Sequence, residues 1–364
     1  MRHKKVDSFF LFLVVVMVLL GFFIFSSAAM GQLTKDGAGF LAVVSKQLAI
    51  LAGGLLAMIV FSSIDYKKYR KIALPMFVVA AGLSCAVLIP GLALEAGGAK
   101  RWIDLGILTF QPAEFLKFAT IIYLAGWLAT RKDKIKDFSA GFIPFICLIA
   151  ILTIILAVIQ RDNGTFLVAC ITSMIMFFAA GGKIKHLALL GLAAVIAISF
   201  LAYTRPYIRE RITTYINPSH DVRGASWQIN QSLIAIGSGG MAGRGFGQSL
   251  QKFNFLPEPI GDSIFAVASE EFGFTGSTII IAFFLIFALW GIKITTRITD
   301  PFGRFLALGL VCMVFIQASI NIGAMIGILP LTGVPLLFIS HGGTALLFVL
   351  IEMGIILNIS KQRT

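Results

Sequence analysis

Long apolar runs, separated by short polar segments, cover most of the chain. A spanning helix needs about 20 consecutive apolar residues, because it must cross the hydrocarbon and satisfy every backbone hydrogen bond internally. Runs of this kind fall at about 8–30, 39–63, 72–94, 113–130, 138–159, 163–181, 184–203, 263–293, 302–325 and 335–358. The pattern predicts an all-α polytopic membrane protein of about ten transmembrane helices, organised as one domain over residues 1–364. One long loop, at about 204–262, joins helices 7 and 8.

Composition agrees with this prediction. Of the 364 residues 58% are hydrophobic and only 13% are charged, and the mean hydropathy is +0.94, whereas soluble domains carry about 25% charged residues. The basic head and apolar stretch at the N-terminus also fit a signal peptide, but the length of the stretch favours a retained first helix. The chain has no convincing internal repeat, so the sequence does not point to an inverted-repeat transporter.

The net charge of +13 follows from membrane topology. If the N-terminus is cytoplasmic, the short inner segments carry eighteen of the thirty Lys and Arg residues, and most outer ones fall in the single long loop. The positive-inside rule therefore places both termini in the cytoplasm. A basic balance distributed in this way does not indicate nucleic-acid binding.

With this orientation, charged and polar side chains gather at the outer ends of several spans. Charges beside hydrocarbon are costly, so they indicate a function or a partner. Glu114 and Lys117, at i and i+3, share one helix face and can pair. The other members of this outer group are Lys100, Arg101, Asp162, Asp262 and His341.

Structural roles compete with functional ones at these positions. The pair Glu114–Lys117 is explained equally well by helix–helix anchoring, and Asp162 by an Asx turn. Glu270 and Glu271 fit helix packing, and His341 fits a helix-end hydrogen bond. Four polar residues inside spans would either knit the bundle together or line a transport path: Lys46, Gln317, Asn321 and Glu352.

The long loop is rich in arginine, amides and glycine. Arginine binds phosphate bidentately, and glycine-rich backbone exposes N–H groups to anions. Its GSGGMAGRGFG stretch is not a Walker loop, because no Gly-Lys-Ser/Thr follows. Together with the outer acidic residues, the loop indicates an anionic, phosphate-bearing substrate at the outer face.

A series of motifs along the chain resembles the SEDS family of shape, elongation, division and sporulation proteins, which includes FtsW and RodA. These motifs are KRWIDLG, QPAEFLK, QRDNGT, NPSHDVRG, QSLIAIGSGGMAGRGFGQSLQKFNFLPEPIGDSIFAVASEEFG and LPLTGVPLLFISHGGT. The QSLQKFNFLPEP stretch is more similar to the FtsW branch than to RodA. The resemblance implies a single SEDS-type domain in the bacterial cytoplasmic membrane. It also implies a peptidoglycan glycosyltransferase that polymerises lipid II, a class B penicillin-binding protein as partner, and contact with divisome proteins.

The resemblance also assigns residues. The essential aspartate of the family falls on Asp262, although Ser263 replaces the usual Phe and Gly261 the common Thr. Arg161 replaces Pro in the turn that keeps Asp162, and Ala113 replaces Ser beside the retained Glu114 and Lys117. His341 stands where Tyr is usual, which puts a shared catalytic role at that position in doubt.

On this basis Asp262 is the predicted catalytic base, and no cofactor is assigned. A divalent cation, Mg²⁺ or Mn²⁺, is a candidate ligand of Asp262 or Asp162. The predicted substrate-binding or positioning residues are Lys100, Arg101, Glu114, Lys117, Asp162, Arg205, Arg211, Gln231, Lys252, Glu258, Ser340 and His341. Three alternatives stay open: a lipid II flippase that uses the polar residues inside the spans, an elongation polymerase of the RodA type, and a non-catalytic scaffold for a transpeptidase.

Overall fold

A computed structural model describes the chain except for residues 1–4, 32–36, 97–98, 105, 107–108, 205–208, 210–212, 214, 217–223, 225 and 363–364. The described helices are α1 Ser8–Ala29, α2 Gly37–Ser63, α3 Lys67–Cys85, α4 Pro112–Thr130, α5 Ile143–Leu152, α6 Asn163–Ala179, α7 Ile184–Thr204, α8 Trp227–Ser238, α9 Ile264–Thr296, α10 Pro301–Met325 and α11 Gly343–Ser360. Short π-helical stretches, Phe138–Phe142 and Thr153–Ile159, extend α5 at both ends.

Eight of the described helical segments are long and apolar enough to cross a membrane. The shorter apolar helix α6 and the apolar start of α7 bring the number to ten. The prediction of an all-α polytopic protein with about ten spans is confirmed, and so is the position of the long segment between the seventh and eighth spans.

Two predicted span boundaries are wrong. The third span was predicted to reach residue 94, but α3 ends at Cys85 and a short 3-10 turn, Ala86–Leu88, follows. The last span was predicted to start at 335, but α11 starts only at Gly343. Residues 336–340 are buried against neighbouring protein, whereas Leu88, Ile89 and Leu94 are exposed beyond the end of the helix. Hydropathy alone separates neither case from a span.

A small antiparallel sheet between α3 and α4 was not predicted. Its strands are β1 Ala93–Ala96, β2 Ala99–Asp104 and β3 Thr109–Phe110, in the order β1-β2-β3. In the register, Ala93 faces Ile103 and Ile103 faces Phe110.

The core lies around α10, which is buried along most of its length and contacts α4, α6 and α9. Helix α2, in contrast, packs mainly on α11 and leaves most of its surface exposed. The two chain ends lie together, because the backbone N–H of Asp7 donates to the Ser360 hydroxyl at 3.0 Å. Alternating spans therefore place the sheet and the segments 160–162, 239–263 and 326–342 at the opposite end, called here the outer end.

Candidate active site at the outer end of the bundle

Asp262 lies in a tight turn just before α9. The Glu258 carbonyl accepts hydrogen bonds from the backbone N–H groups of Gly261 at 3.0 Å and Ser263 at 3.2 Å, and Glu258 takes a left-handed φ of 48°. Pro257 and Pro259 flank Glu258 and restrict the backbone on either side of it. The sequence LPEPIGD therefore folds into a rigid turn that ends at the aspartate.

A second segment, 331–342, holds this turn in place. The Ser340 hydroxyl donates to the Gly261 carbonyl at 2.7 Å, and the His341 backbone N–H donates to the Ile260 carbonyl at 2.7 Å. The amide of Asn321, on α10, donates to the carbonyls of Asp262 at 2.7 Å and Val334 at 2.8 Å. The backbone of Asp262 is thus fixed from two elements far apart in sequence.

The carboxylate itself meets only neutral donors among the described residues. The Gln228 side-chain amide, on α8, lies 3.3 Å from both carboxylate oxygens. The pKa of Asp262 is raised to about 6, because burial raises it more than the Gln228 hydrogen bond lowers it, and the Glu258 charge contributes to the rise. Such a carboxylate is ionised near neutral pH and still basic enough to take a proton.

Asp162 lies on the other side of the 331–342 segment. It caps α6: its carboxylate accepts from the Thr165 backbone N–H at 3.0 Å, the Thr165 hydroxyl at 2.9 Å and the Gln111 amide at 3.2 Å. A Cβ placed on Gly164 would lie 2.7 Å from the Thr332 carbonyl oxygen, so only glycine allows this approach. The same segment also faces the other aspartate, since a Cβ on Gly333 would lie 3.8 Å from an Asp262 oxygen.

Glu114 and Lys117 form the predicted ion pair, with 3.0 Å between the charged atoms, and both are buried. The Lys117 ammonium also donates to the Gln317 side chain at 2.5 Å, and Gln317 donates to the Pro335 carbonyl at 3.0 Å. This network therefore ties α4 to α10 and to the 331–342 segment. The side chain of Glu352 is buried as well, in α11.

Lys252, Glu270 and Glu271 belong to a separate cluster. The Lys252 ammonium lies 2.7 Å from Glu271 and is fully shielded from solvent. Glu270 accepts from the Ser249 hydroxyl at 2.6 Å and pairs with Arg244 at 3.4 Å. These contacts fasten residues 239–252, called here the clamp loop, onto α9.

A kink in α9 makes room for the clamp loop. Gly273 has φ 64° and ψ −163°, and a Cβ there would clash with the backbone nitrogen of Gly243. The kink frees the carbonyls of Glu270 and Glu271, which accept from the N–H groups of Arg244 at 3.0 Å and Gly245 at 2.9 Å. The interpretation of at least one of these glutamates as a helix-packing residue is too narrow, since both anchor a loop.

His341 links the site to α2. Its ring lies 3.1 Å from the Gln47 side chain and stacks on Phe25, with 5.8 Å between the ring centroids. Burial lowers the pKa of His341, and the Lys46 ammonium lowers it further. The imidazole is therefore neutral near pH 7, and its backbone N–H, rather than its ring, contacts the Asp262 turn.

The remaining predicted site residues differ in their exposure and in their hydrogen bonds. Arg101 donates to the carbonyls of Gln160 at 3.3 Å and Arg161 at 2.6 Å, while Lys100 is exposed. Gln231 is buried one turn after Gln228 on α8. Arg205 and Arg211 lie outside the described residues.

A cavity of about 180 Å³ opens beside the Asp262 turn. It is lined by Gly31, Trp227, Lys252, Phe255, Glu258 and their neighbours. The indole N–H of Trp227 donates to the Phe255 carbonyl at 3.0 Å, which fixes the ring at the rim. Aromatic and carboxylate groups in one concave surface are suited to a polar organic substrate.

The donor groups around the two aspartates limit what metal could bind there. Within the part of the chain that the structure describes, no group of three or more His, Cys, Asp and Glu residues is arranged to hold an ion. The Asp162 oxygens already accept three hydrogen bonds, which leaves little capacity for a metal. Asp262 fits one only if substrate phosphates supply further ligands, as they often do for Mg²⁺.

Sequence reasoning missed part of this site. Gln228 has no predicted role of its own among the amides of the long loop, and Asn321 was predicted only to knit helices or line a path. Neither position carries a local signal, because both reach Asp262 across the fold. The adjacent Glu270 and Glu271, just before Gly273, do carry a signal in the sequence. Two adjacent acids near hydrocarbon require partners, which here are supplied by the clamp loop.

Fold and site together define a multi-pass helical membrane protein with a carboxylate held at one membrane face. Over residues 7–364 the chain matches the family described as cell-cycle proteins of the FtsW, RodA and SpoVE type. It belongs to that family, and the predicted membership is confirmed.

Several relatives match the chain along nearly all of its length. It is 38% identical over 365 residues to the stage V sporulation protein E of Bacillus subtilis strain 168, with 99% of each chain covered. It is also 38% identical over 362 residues to the probable peptidoglycan glycosyltransferase FtsW of Geobacter sulfurreducens, covering 99% of this chain and 96% of that one.

Solved structures share the fold. A chain of a peptidoglycan synthase complex, studied for the coordination of polymerization and crosslinking, superposes with a TM-score of 0.81 at 26% identity, with 98% of each chain covered. The rod shape determining protein RodA of Thermus thermophilus superposes with a TM-score of 0.70 at 24% identity, covering 98% of this chain and 97% of that one.

Proposed function

We propose that the protein is an inverting peptidoglycan glycosyltransferase that polymerises lipid II at the outer face of the bacterial cytoplasmic membrane. The observation that carries the proposal is the Asp262 carboxylate. Its backbone is fixed by Asn321 and by the 331–342 segment, its pKa is raised to about 6, and its oxygens are left for a substrate hydroxyl. The names of the curated relatives agree with this activity.

In the proposed reaction Asp262 is the general base. It takes the proton from the 4-hydroxyl of the GlcNAc of an incoming lipid II. That oxygen then bonds to the anomeric carbon of the growing chain, whose bond to undecaprenyl pyrophosphate breaks. One base and one displacement convert an α-linked donor into a β-1,4 product without a covalent intermediate.

The leaving pyrophosphate needs positive charge. At the outer end this role suits Lys100, which is exposed, more than Arg101 or Lys252, whose polar groups are engaged with protein. Arg205 and Arg211 stay candidates from the sequence. A Mg²⁺ or Mn²⁺ ion held by Asp262 and the substrate phosphates would supply the same neutralisation. Glu114 and Lys117 position α4 and the 331–342 segment.

The proposal extends to the cellular role of the enzyme, its partner and its orientation in the membrane. The resemblance of the QSLQKFNFLPEP stretch to the FtsW branch supports a role in septal wall synthesis with divisome proteins. The synthase complex among the structural neighbours supports a class B penicillin-binding protein as partner. The inner segments rich in Lys and Arg support cytoplasmic termini.

The test is lipid II polymerisation by the purified protein, with and without its cognate transpeptidase. We expect glycan chains from the wild type and a fall of about 10²–10⁴-fold for Asp262→Asn. Asp104→Asn, which changes an exposed aspartate of the sheet, is the matched control and keeps its activity. Equal activity in Asp262→Asn would remove the base. Transport of lipid II into proteoliposomes without any polymer would instead favour the flippase.

A further inference from the structure

A basic cavity lies at the end of the bundle that holds both chain termini, opposite the proposed active site. It has a volume of about 370 Å³ and is lined by Lys67, Arg70 and Lys71 of α3 and by Asp300 and Phe302 at the start of α10. The spacing i, i+3 and i+4 puts the three cations on one face of the first turns of α3. They therefore project into one cavity.

The positive charge of this cavity is only partly compensated by protein, since three cations face one carboxylate. Asp300, its one lining carboxylate, accepts from the Gly303 backbone N–H at 2.9 Å. Among the described residues, no carboxylate lies within ion-pair distance of Lys67, Arg70 or Lys71. The cavity is therefore built for an anion.

An apolar surface continues from the cavity along α3. Lys67, Lys71, Leu74 and Val78 follow one another at i, i+4, i+7 and i+11, so they share a face of the helix. Leu74 is 56% exposed and Val78 is 59% exposed, and this part of α3 crosses the membrane. A ligand with an anionic head and an apolar tail contacts both surfaces at once. A free phosphate or an acidic peptide contacts only the first.

We propose that this cavity is a binding site for an anionic phospholipid of the phosphatidylglycerol type. Its phosphate lies among Lys67, Arg70 and Lys71, and its acyl chains lie against Leu74 and Val78. Arginine can bind a phosphate through two parallel N–H groups, and basic pockets between membrane helices bind anionic lipid heads. The proposal does not depend on the proposed glycosyltransferase chemistry, since no active-site residue takes part.

Native mass spectrometry tests the proposal by counting the lipids retained on protein released from nanodiscs that contain phosphatidylcholine and increasing phosphatidylglycerol. We expect the wild type to retain phosphatidylglycerol in preference to phosphatidylcholine. A cation at the membrane surface changes affinity for anionic lipid by about fivefold. The variant Lys67→Gln/Arg70→Gln/Lys71→Gln should therefore lose on the order of 100-fold in apparent affinity.

The matched control removes the same charge from the same end of the bundle. Lys134→Gln/Lys136→Gln/Lys183→Gln changes three exposed lysines that do not line the cavity, and it should retain the lipid. If the first triple variant does not insert, Arg70→Gln alone should lose about fivefold, whereas Lys67→Arg/Lys71→Arg should bind like the wild type. Equal losses in both triple variants, equal retention of phosphatidylcholine, or displacement of the lipid by inorganic phosphate would overturn the proposal.

Discussion

Two acidic regions of the outer end lie within ten residues of each other and are used differently. Asp262 is held through its backbone, and its carboxylate meets the Gln228 amide at 3.3 Å. The Lys252 ammonium lies 2.7 Å from the Glu271 carboxylate, and the Ser249 hydroxyl donates a hydrogen bond to Glu270 at 2.6 Å. Asp262 keeps partial exposure to solvent, whereas Glu270 and Glu271 are fully buried, and their partners differ as well.

The partners distinguish them. A buried carboxylate paired with a cation stays ionised and holds two segments together, and removal of one partner leaves an uncompensated charge. A carboxylate that meets only weak neutral donors keeps a raised pKa and an available oxygen. In this fold the cation-paired acids anchor the clamp loop, and the acid without a cation is the one suited to chemistry.

The largest expected effect in the clamp region is on stability. Lys252→Met leaves Glu271 buried without its cation, so we expect a loss of about 3–5 kcal/mol in the free energy of unfolding. Thermal unfolding in detergent micelles measures it. The double variant Lys252→Met/Glu271→Gln should recover part of the loss, because it removes both charges. A Lys252→Met protein that keeps its stability but loses polymerisation would place Lys252 at the substrate, as the sequence analysis predicted.

The second prediction concerns the backbone of Asp262. Asn321→Leu removes the amide that binds the Asp262 and Val334 carbonyls, and we expect kcat to fall by about 10–100-fold with little change in KM, because the base is misplaced. Polymerisation kinetics measure both constants.

Asn358 provides a matched control at the opposite end of the bundle. Its side chain also bridges two backbone groups, accepting from the Tyr66 N–H at 3.1 Å and donating to the Ser62 carbonyl at 2.8 Å. Asn358→Leu should cost similar stability and leave kcat unchanged. If both variants lose kcat equally, the Asn321 amide stabilises the fold without positioning the base.

The third prediction is a pH profile. Because the base must be deprotonated and the pKa of Asp262 is raised to about 6, polymerisation should fall about tenfold per pH unit below 6 and level off above it. Gln228→Leu removes a hydrogen bond that favours the ionised form, so the inflection should move up by about one unit. Gln231→Leu, one turn later on α8, should leave it in place. If the inflection of the pH profile stays fixed in Gln228→Leu, it reports the titration of a group other than Asp262.

Much of the fold follows from sequence because hydropathy reports directly on lipid contact. All ten predicted spans correspond to described helices, and the pairing of Glu114 with Lys117 followed from their spacing. The segment 335–342 was mistaken for part of a span, since its apolar side chains are buried against protein and periodicity carries no information about which medium covers them.

The candidate site was predictable at Asp262 and much less so around it. The family motif identifies the carboxylate, and the turn-forming prolines beside it are visible in the sequence. The contacts of Gln228, Asn321 and Ser340 with 261–263 join residues 34 to 79 positions apart. Such pairings depend on how the helices pack, which a single sequence does not specify.

The smallest expected effect is on the stability of the Asp262→Asn variant. The pKa of Asp262 is raised from 3.8 to about 6 in the folded state, so the folded protein binds this proton more tightly than the unfolded chain. The ionised carboxylate therefore opposes folding. That cost is absent below about pH 4, grows as the pH rises through 6, and is constant above it. Asparagine carries no charge and avoids it.

Asp262→Asn should consequently unfold at a higher temperature than the wild type at pH 7.5, by the equivalent of about 1–2 kcal/mol after allowance for partial exposure. The two proteins should be equally stable near pH 4. Glu271→Gln should change stability in the opposite direction at pH 7.5, because it weakens an ion pair. If Asp262→Asn is the less stable protein at pH 7.5, the carboxylate is held by a cation like its neighbours on α9, and the contrast between the two acidic regions fails.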